Sequence, residues 1–245
     1  MKLLVKSILQ RVLGFHGYLV THSVFVALTL RFRRDEGAVL RFISMLSRDA
    51  TVLDVGANVG TMTLLFARRC PAGRVYGFEP IPENYRAACA LLRLFGIRNA
   101  RLFDFGLSDT NGNAEMIMPS AGTVRLEGLS RVADATQQLN ESGTRYTVRL
   151  ARLDDLPELE NLKIAAIKID VENHEQQVLR GARKMIARDR PLIYCELWEG
   201  ENKRACFTLL TELGYAAYVA GPTTLQPYRE GTSNALNVFF LPGKE

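Results

Sequence analysis

The run from Val52 to Thr63, VLDVGANVGTMT, constrains this chain more than any other stretch. Val52, Leu53 and Val55 make a short apolar run of β-formers. Gly56 and Gly60 punctuate a turn, and apolar residues resume at helical spacing from Met62 through Leu65 and Phe66. A buried strand, a glycine turn and a helix therefore follow one another directly. Such a turn lets backbone approach a ligand closely, and a helix N-terminus offers partial positive charge and free N–H groups. A nucleotide-like ligand is the first expectation.

Spacing narrows the choice of nucleotide. A dinucleotide fingerprint needs G-x-G-x-x-G, but Asn58 and Thr61 stand where its second and third glycines belong. No Gly-Lys-Ser/Thr follows, so the phosphate-loop pattern fails as well. What remains, Asp54, Gly56, Asn58 and Gly60, resembles the D-x-G-x-N-x-G signature of class I S-adenosylmethionine-dependent methyltransferases. The resemblance implies that these four residues bind that cofactor, which has no pyrophosphate. The run RVYGFEP, Arg74 to Pro80, reads as the second strand and brings in Glu79, nineteen residues beyond Gly60. A carboxylate there can accept both hydroxyls of a ribose. The alternative is a surface glutamate before a turn.

With 245 residues, 47% of them hydrophobic, the chain suits one sizeable α/β domain plus an extension and argues against two full domains. Cys70, Cys89, Cys195 and Cys206 are scattered with no C-x-x-C pair, which favours reduced thiols in a cytoplasmic protein and argues against a zinc site. Charge is uneven. Residues 1–48 hold eight Lys/Arg against Asp35 and Glu36, a balance of +6 within a total of +5, so the remainder is close to neutral. This disfavours nucleic acid as a partner of the catalytic domain and leaves an anionic partner open for residues 1–48.

Residues 1–34 alternate apolar clusters with basic residues. The apolar run Tyr18 to Leu30 is interrupted by Thr21, His22, Ser23 and Thr29, and by itself is too short and polar to span a bilayer. Helices packing on the core or on a second subunit, as in a homodimer, are the first expectation, and peripheral contact with a membrane surface the second. No small-residue cleavage site precedes Arg31, which argues against a signal peptide.

Beyond the turn, periodicity predicts helices over 35–47, 61–69 and from Pro82 to Gly96, and a third strand over Arg101 to Asp109. In the fold that the resemblance implies, the end of this strand lies beside the adenine, making Asp104 and Ser108 candidates for it. Either could equally satisfy backbone groups at a strand end. Residues 113–146 are rich in Ser, Thr, Gly, Asn and Gln and read as a weakly structured insertion, either a substrate loop or a surface excursion.

A second constellation follows. Ile164 to Ile169 is apolar enough for a central parallel strand, yet it contains Lys168 and runs into Asp170 and Glu172. Buried charges there must be paired or functional. The run Ile167-Lys168-Ile169-Asp170-Val171-Glu172, with His174, Glu175, Val178, Leu179, Gly181 and the preceding Leu153-Asp154-Asp155-Leu156, resembles the FkbM-type family of S-adenosylmethionine-dependent O-methyltransferases. Asn173 departs from that pattern, replacing its usual glycine and adding a polar side chain beside the expected pocket.

The resemblance implies an α/β fold: a single Rossmann-like doubly wound sheet of about seven strands, the last antiparallel, over residues 49–245, after a basic helical extension over 1–48. It implies S-adenosylmethionine as cofactor and a small-molecule, sugar or lipid-linked hydroxyl as acceptor. Methylation of an alcohol needs a base, for which Asp170 is the first candidate, Glu172 the second and His174 the third. All three could instead be structural, with Lys168 pairing a carboxylate at the strand end. Two carboxylates make a thin oxygen-ligand set, so no metal is expected. The alternative class is a catalytically inactive cofactor-binding or regulatory protein of the same fold. A nitrogen methylase would need Asp/Asn-Pro-Pro-aromatic after this strand, where the chain has Asp170-Val171-Glu172-Asn173.

Overall fold

The computed structural model describes residues 2–30, 37–132, 142–230 and 235–243. Two helices, α1 (Lys2–Thr29) and α2 (Gly37–Met45), precede β1 (Thr51–Val55). The alternation continues with α3 (Thr61–Arg69), β2 (Arg74–Phe78), α4 (Pro82–Leu94) and β3 (Ala100–Phe103). Five strands follow without a helix of more than one turn: β4 (Gly106–Leu107), β5 (Gly112–Ala121), β6 (Val124–Arg125), β7 (Arg131–Val132) and β8 (Gly143–Ala151). The chain closes with β9 (Ala166–Ile169), α5 (Glu175–Gly181), α6 (Arg183–Asp189), β10 (Leu192–Glu196), α7 (Glu201–Glu212), β11 (Tyr215–Ala220), β12 (Leu225–Pro227) and β13 (Asn237–Pro242).

The main sheet runs β12-β11-β13-β10-β9-β1-β2-β3. β3, β2, β1, β9 and β10 are mutually parallel, and β13 is antiparallel to both β10 and β11. The sheet has eight strands rather than about seven, because Leu225–Pro227 adds an edge strand against β11. Chain order moves outward from β1 to β3 and then returns to β9 on the other side of β1. The β1/β9 boundary is thus the topological switch point, where ligands bind at the carboxyl ends of strands.

Burial explains these central strands. Every residue from Val52 to Val55 and from Ala166 to Ile169 is buried, matching their near-continuous apolar composition. Pro82 occupies the first turn of α4, where its missing N–H is not needed, and Gly96 at φ 64° ends it as the sequence predicts.

Two expectations are corrected. The third strand stops at Phe103, and Gly106–Leu107 joins a second sheet of order β4-β8-β5-β6, with β7 also on β5. The segment 113–146 is therefore largely an antiparallel sheet where it is described, not a loose insertion; residues 133–141 lie outside the described residues. Its core, Met116, Met118, Val148 and Leu150, packs on Ile81 after β2.

From Tyr18 onward, described residues of the N-terminal region share the core of the rest. α1 is broken at Gly14 (φ 67°, ψ 165°). After the break Tyr18 and Leu19 pack on Val59 and Ala87, while Leu30, Val39 and Phe42 join Val52 and Phe66. By length and composition Leu4–Thr29 could cross a membrane, which the interrupted run Tyr18 to Leu30 alone did not suggest. The break and the burial of Tyr18, Leu19 and Ser23 set it apart from a simple apolar rod.

Candidate active site

One pocket gathers both sequence constellations. It lies at the switch point and is lined by Gly56 and Asn58 after β1, Glu79 after β2, and Asp170, Glu172 and His174 after β9. The second sheet supplies its other wall through Met116, Leu150 and the segment Glu127 to Val132. The space free of atoms is about 660 Å³, open mouth included.

The turn after β1 is built inward rather than outward. The Gly56 and Ala57 N–H groups donate to the Phe78 carbonyl at 3.1 and 2.9 Å, and the Asn58 N–H donates to Glu79 Oε2 at 2.8 Å. These turn amides are consumed within the fold, which agrees with a ligand lacking pyrophosphate. Gly56 sits at φ 76°, and a Cβ there would lie 1.9 Å from the Asp170 carbonyl oxygen. Glycine is thus required where β1 and β9 meet. At Gly60 a Cβ would meet that of Ala88 at 2.8 Å, so this glycine serves the packing of α3 on α4 and does not line the pocket.

Glu79 is held from three sides. Besides Asn58, the Ile81 N–H donates to Oε1 at 2.9 Å and Asn84 Nδ2 at 3.4 Å. Burial, only partly offset by these donors, pushes its carboxyl up to about 7. Asn58 Oδ1 and Asn84 Oδ1 are buried and lack hydrogen-bond partners among the described residues, although both side chains line the pocket. Unsatisfied acceptors beside a pinned carboxylate suit a ligand carrying hydroxyl and amine donors, as the ribose and adenine of S-adenosylmethionine do.

Asp54 has no exposed surface and does not line the pocket. Thr63 Oγ1 donates to it at 2.5 Å and Lys168 Nζ lies 3.6 Å away. Its part is to hold Lys168, whose Nζ donates to the Gly56 carbonyl at 2.9 Å and pairs with Asp170 at 3.3 Å. Burial disfavours the Lys168 charge, but Asp170 and Asp54 outweigh it and raise its pKa.

The chain leaves the extended conformation after Ile169. Glu172 and Asn173 both have positive φ, 51° and 74°, and the turn is clamped by Glu175, whose Oε1 accepts from the Val171 and Asn173 N–H groups at 3.2 Å each. Asn202 in turn donates to Glu175 Oε2 at 2.5 Å. Asn173 keeps the left-handed geometry of the glycine it replaces, but its side chain is exposed and does not line the pocket, contrary to expectation. Glu172 does line it. Burial, reinforced by Asp170, Glu196 and Glu175, lifts its carboxyl to about 7.

His174 is pushed below its ordinary value by burial, against the pull of Asp109, and its Nε2 lies 3.0 Å from Ser108 Oγ. Ser108 is buried behind the lining and orients His174 instead of touching the cavity. Asp104 is exposed, because β3 has already ended, and does not line the pocket either. Sequence reasoning missed Asn84, Glu127 and the clamp at Glu175. The first turn of the helix opened by Pro82 held the signal for Asn84; nothing local marks Glu127, which reaches the site only through the second sheet.

Comparison with known proteins agrees with this geometry. The model of the methyltransferase FkbM domain matches residues 54–217. The chain belongs to the FkbM methyltransferase family. Among similar proteins, Methyltransferase 1 of Beauveria bassiana is 27% identical over 192 residues, covering 73% of this chain and 77% of its own. The hexuronic acid methyltransferase AglP of Haloferax volcanii is 25% identical over 214 residues, covering 83% and 80% respectively. A crystal structure of methyltransferase FkbM from Methylobacillus flagellatus shares the fold, with a TM-score of 0.54 at 14% identity; the match spans 81% of this chain and 45% of that one. The chain is thus a methyltransferase of Rossmann-like fold, and S-adenosylmethionine is the methyl donor that its family implies.

Proposed function

We propose that this FkbM-family enzyme is an O-methyltransferase acting on a hydroxyl of a small-molecule, sugar or lipid-linked acceptor, with Glu172 as the base. The observation that carries this reading is the shared pocket: Glu79 at the end of one strand and Glu172 beyond another line the same cavity across the β1/β9 switch point. S-adenosylmethionine supplies an electrophilic methyl group when bound. Glu79 suits the ribose hydroxyls, and Asn58 and Asn84 offer the unfilled acceptors beside it.

Acceptor chemistry falls to the turn after β9. An alcohol oxygen must lose its proton as it gains carbon, and a carboxylate titrating near neutrality is well matched to take it. Asp170, the first candidate from sequence, is paired with Lys168 at 3.3 Å, which suits it to anchoring the strand end. Glu172 is the better base, because burial and its acidic neighbours raise its basicity. His174, kept neutral and fixed by Ser108, borders the same space. Similarity to a hexuronic acid methyltransferase favours a sugar hydroxyl among the acceptor classes. The non-catalytic alternative drew on Asn173, whose side chain lies away from the pocket.

Methyl-labelled S-adenosylmethionine, incubated with the protein and a panel of uronic acids, neutral glycosides and phenols, tests the reading by product NMR. Label on oxygen is expected. Label on nitrogen or carbon would overturn the O-transfer assignment, and cofactor binding without transfer to any acceptor, cell extract included, would favour the non-catalytic protein.

A further inference from the structure

Before its break at Gly14, α1 is amphipathic in the inverse sense. Its inner side is polar: Lys6 Nζ pairs with Glu127 at 2.9 Å, and Gln10 exchanges two hydrogen bonds of 3.1 Å with the Arg125 backbone. Its outer side is apolar. Leu4, Val5, Ile8, Leu9, Val12 and Leu13 recur at i, i+1, i+4 and i+5 and so share one face; all are exposed, Leu4 by 66% and Val12 by 73%. A contiguous stripe of six large apolar side chains facing water marks an interaction surface.

Charge identifies the occupant. Ahead of Gly14 the helix carries Lys2, Lys6 and Arg11 and no acidic residue, and Arg11 is exposed at the edge of the stripe. A second copy of this chain would bring like charge to like across the face, whereas an acidic lipid surface would meet it with the opposite sign. Spanning the bilayer would require Lys6 and Gln10 to leave their partners and Tyr18 and Leu19 to leave the core. We infer that the outer face of α1 ahead of Gly14 docks flat on an anionic lipid surface, its apolar stripe entering the headgroup boundary. The inner face grips Glu127 and Arg125, so the docked helix also carries one wall of the pocket. The inference is independent of which acceptor is methylated.

Flotation of the full-length protein tests it, using vesicles of phosphatidylcholine alone or mixed with phosphatidylglycerol. The unaltered protein is expected to float with the mixed vesicles, less so in high salt and little with phosphatidylcholine alone. Ile8→Glu with Val12→Glu should lower the bound fraction about tenfold, and Arg11→Glu should lower it less. S-adenosylhomocysteine affinity, measured by calorimetry, should stay unchanged in both variants and so report intact folding. Failure of the unaltered protein to float, or equal flotation of the double variant, would overturn the inference. So would a solution dimer that the double variant splits while vesicles capture neither form.

Discussion

Lys168 Nζ donates to the Gly56 carbonyl at 2.9 Å, so the buried ammonium of one central strand holds the turn that follows its neighbour. The same ammonium lies 3.6 Å from Asp54 and 3.3 Å from Asp170. One cation thereby fixes the floor of the cofactor pocket and the start of the acceptor side. Removing it leaves Asp54 buried without its counter-charge. Lys168→Met should destabilise the protein by about 3–5 kcal/mol and weaken S-adenosylhomocysteine binding, read by urea denaturation and calorimetry.

Gly56 and Gly60 are equivalent in sequence and unequal in structure. A methyl group at Gly56 would collide with the Asp170 carbonyl at 1.9 Å, backbone that cannot yield without parting β1 from β9. At Gly60, also at positive φ (80°), the clash is milder, with the Ala88 Cβ at 2.8 Å and its backbone Cα at 2.9 Å where α3 packs on α4. Gly56→Ala should cost upwards of about 3 kcal/mol and abolish cofactor binding. Gly60→Ala should cost less and leave measurable binding. Denaturant unfolding with and without S-adenosylhomocysteine separates the two.

Acidity at Glu79 sets a pH dependence of stability. Burial raises its carboxyl from an ordinary 4.5 to about 7, so folding favours the protonated form. Its contribution is fully present below 4.5 and is lost as pH rises through about 7. The melting temperature of the unliganded protein should therefore fall across this window, as Glu172 also requires. Glu79→Gln should flatten part of that fall in a thermal scan repeated at each pH.

The clamp at Glu175 is a positioning device. It fixes the two consecutive left-handed residues that present Glu172, a geometry costing about 1–3 kcal/mol per residue. Glu175→Ala should lower kcat about tenfold or more while leaving the KM for S-adenosylmethionine nearly unchanged, because Glu79 and the β1 turn are untouched. A rise in that KM equal to the loss in kcat would mean general collapse of the site.

Much of this molecule is legible in sequence because its central strands are buried on both faces and its helices begin and end at Pro and Gly signals. The helix over Thr61–Arg69 is predicted residue for residue, and the sequence brings Gly56, Asn58, Glu79, Asp170, Glu172 and His174 to a single pocket. Motif membership proves weaker at telling lining from support. Asp54, Gly60 and Ser108 stand in or near the motifs yet face Lys168, Ala88 and His174. The second sheet is harder still: β8 does alternate, with Val148 and Leu150 buried and Thr147 and Arg149 exposed, but β5 buries four residues in succession and shows no two-residue period. Its wall residue Glu127 owes its place to Lys6 and Tyr18, far away in sequence.

The pH profile of methyl transfer bears most directly on the central claim, that Glu172 deprotonates an acceptor beside a cofactor held at Glu79. With saturating S-adenosylmethionine, kcat should rise through an apparent pKa near 7, where burial and its acidic neighbours place Glu172. Glu172→Gln should lose about 100-fold or more of kcat and that ascending limb, with S-adenosylhomocysteine affinity preserved. A Glu172→Gln enzyme that turns over normally, with the limb intact, would contradict the account.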